Sequence, residues 1–266
     1  MENNIEIIKH KIIVIQSLKY PYKETGRDLY NDILRYKQYY KNDCFSEFYA
    51  IDNKQSFLNT LKEIEKNIAD GELITLHFET HGSHNGVHLN SNEFVTWEEF
   101  DDAVRPINIK TFNLLVVSMA MCYGGALLSH INPDKRAPYL CFIGSYRELS
   151  EGEIVEGYHR FYESYSSPLD ISAAYKALVS IYGEDNNPYG LFTQEFIFDE
   201  TFNPDRDPAN FKKMIEMQCL KKFGNLNPNN LQLMDYSLRE FFSSVKKTKR
   251  DFFLFKDLIN NDNIEI

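Results

Sequence analysis

Ile74-Thr75-Leu76-His77-Phe78-Glu79-Thr80-His81-Gly82 and Leu114-Leu115-Val116-Val117-Ser118-Met119-Ala120-Met121-Cys122-Tyr123-Gly124-Gly125 are the two stretches on which the fold turns. Each is an apolar run of strand length that ends in a reactive side chain, with glycine directly after it or within two residues. Laid side by side in a parallel sheet, the two runs bring His81 and Cys122 together at the carboxyl edge, where open α/β sheets bind their ligands.

The flanking sequence supplies the rest of such a sheet. Upstream, residues 11–18 read as a strand and 25–40 as a helix with Leu29, Ile33, Leu34 and Tyr39 near one face. Residues 45–51 read as a second strand, followed by Asp52 as a cap and a helix carrying Phe57, Leu61, Ile64 and Ile68 on one stripe. Between the two key runs, Thr96 and Glu99 have the spacing of a capping box at a helix start. Downstream come a short helix at 125–131, an apolar strand at 139–144, helices at 151–165 and 170–182, and a further strand at 190–198. This βαβαβαβαβ order predicts a mostly parallel sheet with helices on both faces. From Asp199 the character changes. Asn203-Pro204-Asp205-Arg206-Asp207-Pro208 is turn chemistry, and two amphipathic stretches follow at 211–223 and 231–257. The expected organisation is a main domain over 1–200 and a helical C-terminal extension over 201–266, which can pack on the same domain.

Composition bounds the partners. With 266 residues, 43% of them hydrophobic and 14% aromatic, the chain can bury a sizeable core. Its 29 basic and 39 acidic residues give a formal charge of −10 with no long basic tract, so neither nucleic acid nor an anionic membrane is an expected partner. Four cysteines without a CxxC spacing read as free thiols of a reducing cytosol. The polar, acidic start Met1-Glu2-Asn3-Asn4-Ile5-Glu6 does not look like a signal peptide, and no apolar run approaches the roughly 18 residues of a membrane span. A cytoplasmic location is expected.

At the two strand ends the residue types suit nucleophilic catalysis. A thiol needs a neighbouring base to become thiolate at neutral pH. His81 can be that base and later protonate a leaving amine. Gly82 lets a backbone N–H approach a developing oxyanion, the Cys122 N–H can be a second donor, and Gly124-Gly125 would let the chain turn sharply away. The other cysteines, Cys44, Cys141 and Cys219, read as small buried hydrophobes.

The apolar-run–His-Gly followed by apolar-run–Cys arrangement resembles the caspase-like (clan CD) cysteine peptidases, and Leu76-His77-Phe78-Glu79-Thr80-His81-Gly82 is most similar to the bacterial CHAT-type domains. The segments Phe142-Ile143-Gly144-Ser145-Tyr146, Gly157 through Glu163 and Ala173 through Leu178 resemble the strand and helices that close such a domain, so the likeness spans about residues 10–200. It implies a caspase-like αβα sandwich, an endopeptidase with a Cys122–His81 dyad and a Gly82/Cys122 oxyanion hole, no cofactor and no metal. It also implies a protein substrate and, by analogy, an activating sensor or partner in a bacterial antiviral defence or cell-death system. The family's pocket-lining positions fall on Ala120, two before the cysteine, and on Ser145, Tyr146 and Arg147. Ala120 lacks the acid of members that cut after Arg or Lys. Ser145-Tyr146-Arg147 resembles the caspase segment whose Arg pairs with a substrate aspartate, which favours an acidic residue before the cut.

Other readings are set beside this one. His77 and His81, four residues apart on a strand, would lie roughly 13 Å apart at about 3.3 Å per residue, too far to share a metal ion, and His77-Phe78-Glu79-Thr80-His81 is not HExxH. His77 reads as a hydrogen-bonded core histidine, and His84 and His88 as loop or edge positions. Gly124-Gly125 lacks a phosphate-loop pattern. Two rival functions remain, an inactive caspase-like scaffold or binding module and an unrelated flavodoxin-like small-molecule binder. Arg147 can also be a surface residue paired with Glu148 or Glu151.

Overall fold

Near-continuous apolar strands have to be covered on both faces, and this chain covers them with helices. The computed structural model describes residues 9–40, 43–165, 170–183 and 186–258. In chain order the main elements are β1 (Lys9–Gln16), α1 (Thr25–Asp32), a 3-10 turn (Leu34–Tyr36), α2 (Lys37–Tyr40), β2 (Cys44–Ala50), α3 (Lys54–Asn67) and β3 (Glu72–Glu79). Three short strands follow, β4 (His81–Ser83), β5 (Gly86–His88) and β6 (Phe94–Thr96), then α4 (Trp97–Lys110), β7 (Val116–Ala120), a 3-10 helix (Gly124–His130) and β8 (Cys141–Ser145). The chain continues through α5 (Glu151–Ser164), α6 (Ile171–Val179), β9 (Tyr189–Thr193), α7 (Gln194–Thr201), α8 (Pro208–Phe223) and α9 (Pro228–Phe253).

The central sheet has six strands in the order β2-β1-β3-β7-β8-β9. All pairs are parallel except β8–β9. Alternation along β1 sends Ile13 and Ile15 to one face, with Phe57, Leu61 and Ile64 of α3 and Trp97, Phe100 and Val104 of α4. Ile12 and Val14 go to the other, with Leu29 of α1, Tyr158, Phe161 and Tyr162 of α5, and Ala174 and Leu178 of α6. The mostly parallel αβα sandwich expected from the sequence is the observed architecture.

Several details differ from expectation. The helix expected over 25–40 breaks at Ile33, after which Leu34 still buries beside Leu29; the Tyr39 side chain lies outside the described residues. The cap of α3 is Asn53 rather than Asp52, because Asn53 and Ser56 bond each other's backbone reciprocally. The capping box at Thr96 and Glu99 is present. The strand expected over 190–198 stops at Thr193, whose hydroxyl accepts from the Phe196 N–H and starts α7. The largest departure is at residues 81–96, which form an antiparallel three-stranded sheet, β4-β5-β6, in place of a connection.

The C-terminal helices α8 and α9 share a small core of Phe211, Ile215, Cys219 and Met234. The end of α9 returns to the sandwich, where Phe253, Leu254 and Phe255 bury against Ala137 and Phe198. Arg136 clamps Asp257 there through two parallel hydrogen bonds of 2.8 Å. No helix among the described residues is long and apolar enough to cross a membrane.

Candidate active site

Register fixes the site before any side chain is considered. In the parallel β3–β7 pair, Glu79 stands opposite Ala120 at the carboxyl ends of both strands. His81 and Cys122 each lie two residues beyond that pair, so both leave the sheet at the same edge. The β3 strand ends at Glu79, and His81 opens β4 of the small sheet, where its partner across the antiparallel pair is His88. His77 and His81 therefore do not share a strand.

The two segments touch through backbone. A Cβ on Gly82 would run into the Cys122 carbonyl oxygen and would crowd the Met121 side chain. Glycine at 82 is thus a packing requirement, and its φ is not in the left-handed region. After β7 the chain bends tightly, with the Met121 N–H donating to the Met119 carbonyl at 3.0 Å and Tyr123 in the left-handed conformation at φ 55°. The sharp turn expected from Gly124 and Gly125 is made by Tyr123. The glycines serve contact, since a Cβ on Gly124 would crowd the Met119 side chain and one on Gly125 would press on the Ser145 carbonyl oxygen. The Cys122 amide has no hydrogen-bond partner among the described residues, which leaves it available as a donor.

His81 and Cys122 line one cavity of about 260 Å³. Its walls are the loop after β1, with Leu18, Tyr22 and Lys23; the start of α1, at Thr25; and the segment entering α5, with Leu149, Glu151 and Ile154. Glu79 and Ala120 also line it. The Tyr22 ring stands edge-on to His81, with centroids 4.2 Å apart. Cys122 Sγ accepts from the Leu149 N–H at 3.3 Å, and the thiol faces the Leu149 carbonyl at 3.7 Å. Partial desolvation, and then the charge of His88, hold the His81 imidazole below the usual histidine pKa. This shift favours the neutral imidazole, the form that accepts a proton.

Beneath the cavity lies a buried polar chain. His77, fully buried, bonds Ser118 Oγ through Nδ1 and Glu79 Oε1 through Nε2, each at 3.0 Å. Thr25 Oγ1 donates to the other Glu79 oxygen at 2.5 Å. The rings of Tyr158 and Tyr162 stand edge-on to His77. His77 is thus a hydrogen-bonded core histidine.

Of the expected pocket residues, Ala120 lines the cavity and Ser145, Tyr146 and Arg147 do not. The Ser145 hydroxyl is spent on its own turn, accepting from the Arg147 N–H at 3.1 Å and donating to the Arg147 carbonyl at 2.9 Å. Tyr146 is largely exposed, its ring edge-on to Phe192. Arg147 donates to Glu153 Oε1 and to the Glu148 carbonyl, each at 2.7 Å. Its ion-pair partner is therefore Glu153, not the Glu148 or Glu151 carboxylate. Sequence reasoning missed Glu79, Tyr22 and the Leu149–Glu151 segment. The one available signal was a carboxylate closing an otherwise apolar strand run.

No protein-family model and no curated protein matches the chain. Among solved structures, the chain superposes on the Drosophila initiator caspase Dronc with 10% identity and a TM-score of 0.49, over 70% of this chain and 80% of that one. It also superposes on the complex of Porphyromonas gingivalis RgpB pro- and mature domains with 11% identity and a TM-score of 0.43, over 73% of this chain and 49% of that one.

Proposed function

We propose that the protein is a caspase-like cysteine endopeptidase. The observation that carries this reading is the shared edge of β3 and β7, with His81 and Cys122 lining one cavity and Gly82 packed on the Cys122 carbonyl. In the reaction His81 takes the Cys122 proton, the thiolate attacks the carbonyl carbon of the scissile peptide, and the Cys122 and Gly82 amides hold the oxyanion. Imidazolium then protonates the departing amine, and water activated by His81 releases the acyl group and restores the thiol. The cavity takes the side chain on the amino side of the cut.

The Cys122–Leu149 contacts and the Tyr22 ring against His81 favour a resting state that an activator must loosen. This fits a protease held off until a sensor or partner engages it, in the manner of a bacterial defence or cell-death effector. The helical extension formed by α8 and α9 is the surface we assign to that engagement.

The test is to sequence the new amino termini produced in a lysate by wild type, Cys122→Ala and His81→Ala. Cuts made only by wild type support the peptidase. Cuts absent from all three, including after incubation with the host lysate that would hold an activator, favour the inactive scaffold.

A further inference from the structure

We infer that the cavity beside the dyad selects a positively charged side chain, and that Glu79 is its specificity-determining residue. The inference rests on the peptidase reading for its biological meaning, while its physical basis is the cavity itself.

Glu79 is only 1% exposed, yet it lines the cavity beside Ala120. The register places these two residues opposite each other, so the smallest side chain on the floor stands next to the carboxylate. A larger residue at 120 would fill the space that Ala120 leaves above Glu79. The walls on either side are the start of α1 and the start of α5, which makes a slot between two helices with an acidic base. At about 260 Å³ it lies below the range of pockets for drug-sized ligands and suits one long side chain.

The charge balance favours a cation. Two Glu79 hydrogen bonds, from Thr25 and His77, occupy part of the roughly four acceptor sites of a carboxylate. Among the described residues Glu79 has no Lys or Arg partner, and its one ion-pair contact is the His77 imidazole at 3.0 Å, so a cation entering the cavity would be its first permanently charged neighbour. Glu151 adds a second carboxylate at the rim and has no ion pair among the described residues. The opposing charge is Lys23, whose ammonium lies 3.5 Å from the Asp28 carboxylate and is offset by it. Arg147, the residue that would have welcomed an acid, is outside the cavity and held by Glu153. A substrate aspartate would enter facing two carboxylates, whereas an arginine or lysine would complete the Glu79 hydrogen bonds.

Glu79 also holds His77 and Thr25, so the test separates selectivity from folding. The probes are capped tetrapeptide amides ending in Arg, Lys, Leu or Asp, titrated calorimetrically into the full-length Cys122→Ala protein, which cannot turn them over. The Arg or Lys peptide is expected to bind at least ten-fold tighter than the Leu and Asp peptides. Glu79→Gln should reduce that preference by about ten- to a hundred-fold, the range of a hydrogen bond to a charged group. Glu151→Gln, at an exposed position that does not threaten folding, should reduce it by about two- to five-fold. Equal binding of all four peptides, tighter binding of the Asp peptide, no binding of any, or a preference that survives both substitutions overturns the inference. Cleavage assays with the same sequences embedded in longer peptides keep the two claims apart. Binding of the basic peptides without cleavage sinks the peptidase and leaves the pocket standing; cleavage after Asp or Leu does the reverse.

Discussion

Gly82 and Cys122 meet so closely that the carbonyl oxygen of one occupies the space a Cβ would need on the other. The segment carrying the imidazole and the segment carrying the thiol are therefore locked by a backbone contact. Gly82→Ala must push the two apart. Misplacing reacting groups by about 1 Å costs on the order of a hundred-fold in rate. Peptidase activity of Gly82→Ala is expected to fall by about that much, with far-UV circular dichroism unchanged and a stability loss of about 1–3 kcal/mol from overpacking. Wild-type activity in this variant would show that the contact does not set the dyad.

Burial, and secondarily the charge of His88, hold the His81 pKa below the usual value, so the folded protein binds a proton there less readily than the unfolded chain does. Two consequences have fixed signs. The acid limb of kcat/KM should lie below the ordinary histidine value of about 6.5, because His81 must be neutral to act as base. The stability that His81 contributes by staying neutral is present above the unfolded pKa and is lost as pH falls through the folded one. Replacing His88 by Asn removes the like charge, and the acid limb should move upward while burial still holds it below 6.5. Lys23, Glu79 and Glu151 share the cavity and are unchanged in that variant. A limb that stays in place would show that His88 exerts no field on the base.

The uneven legibility of this chain has physical causes. Strands β3 and β7 were readable because residues buried on both faces leave unbroken apolar runs, and their adjacency follows from the βαβ rule. The small sheet was not readable. Its strands have three residues each, too few to show alternation, and its register partners His81 and His88 look like loop residues. Tyr123 takes the left-handed turn expected of its glycine neighbours, and those glycines are instead packed against Met119 and Ser145. Arg147 misdirected the pocket because the carboxylate it meets lies six residues on, at the N3 position of α5, where Glu153 also caps Ser150. Glu79 stayed hidden because a lone carboxylate at the end of an apolar run carries no periodic signal. Only the register pair with Ala120 discloses it.

Cys122 should be the reactive thiol of the folded protein. It is partly accessible, whereas Cys44, Cys141 and Cys219 are buried. Burial, and then the charge of Glu195, push the Cys141 thiol up to about 12, which removes its thiolate at neutral pH. A maleimide at pH 7 should add once to the native protein, at Cys122 by peptide mapping, and four times after denaturation. Fast native labelling that persists in Cys122→Ala would place the accessible thiol elsewhere.

Phe253, fully buried with Phe198 and Ala137, ties the end of α9 to the sandwich. The Arg136–Asp257 clamp and the bond from the Ala137 N–H to the Phe253 carbonyl, 3.0 Å long, reinforce the same joint. Truncating a buried Phe to Ala removes its transfer energy and leaves a cavity, at a cost of about 3–5 kcal/mol. If the helical extension and the sheet domain unfold together, Phe253→Ala should lower the midpoint of one cooperative urea transition seen alike by tyrosine fluorescence and by circular dichroism. If the α8–α9 hairpin melts on its own core of Phe211, Ile215, Cys219 and Met234, the variant will split the transition into two. The first outcome makes the extension part of the sheet domain. The second makes it a separable module.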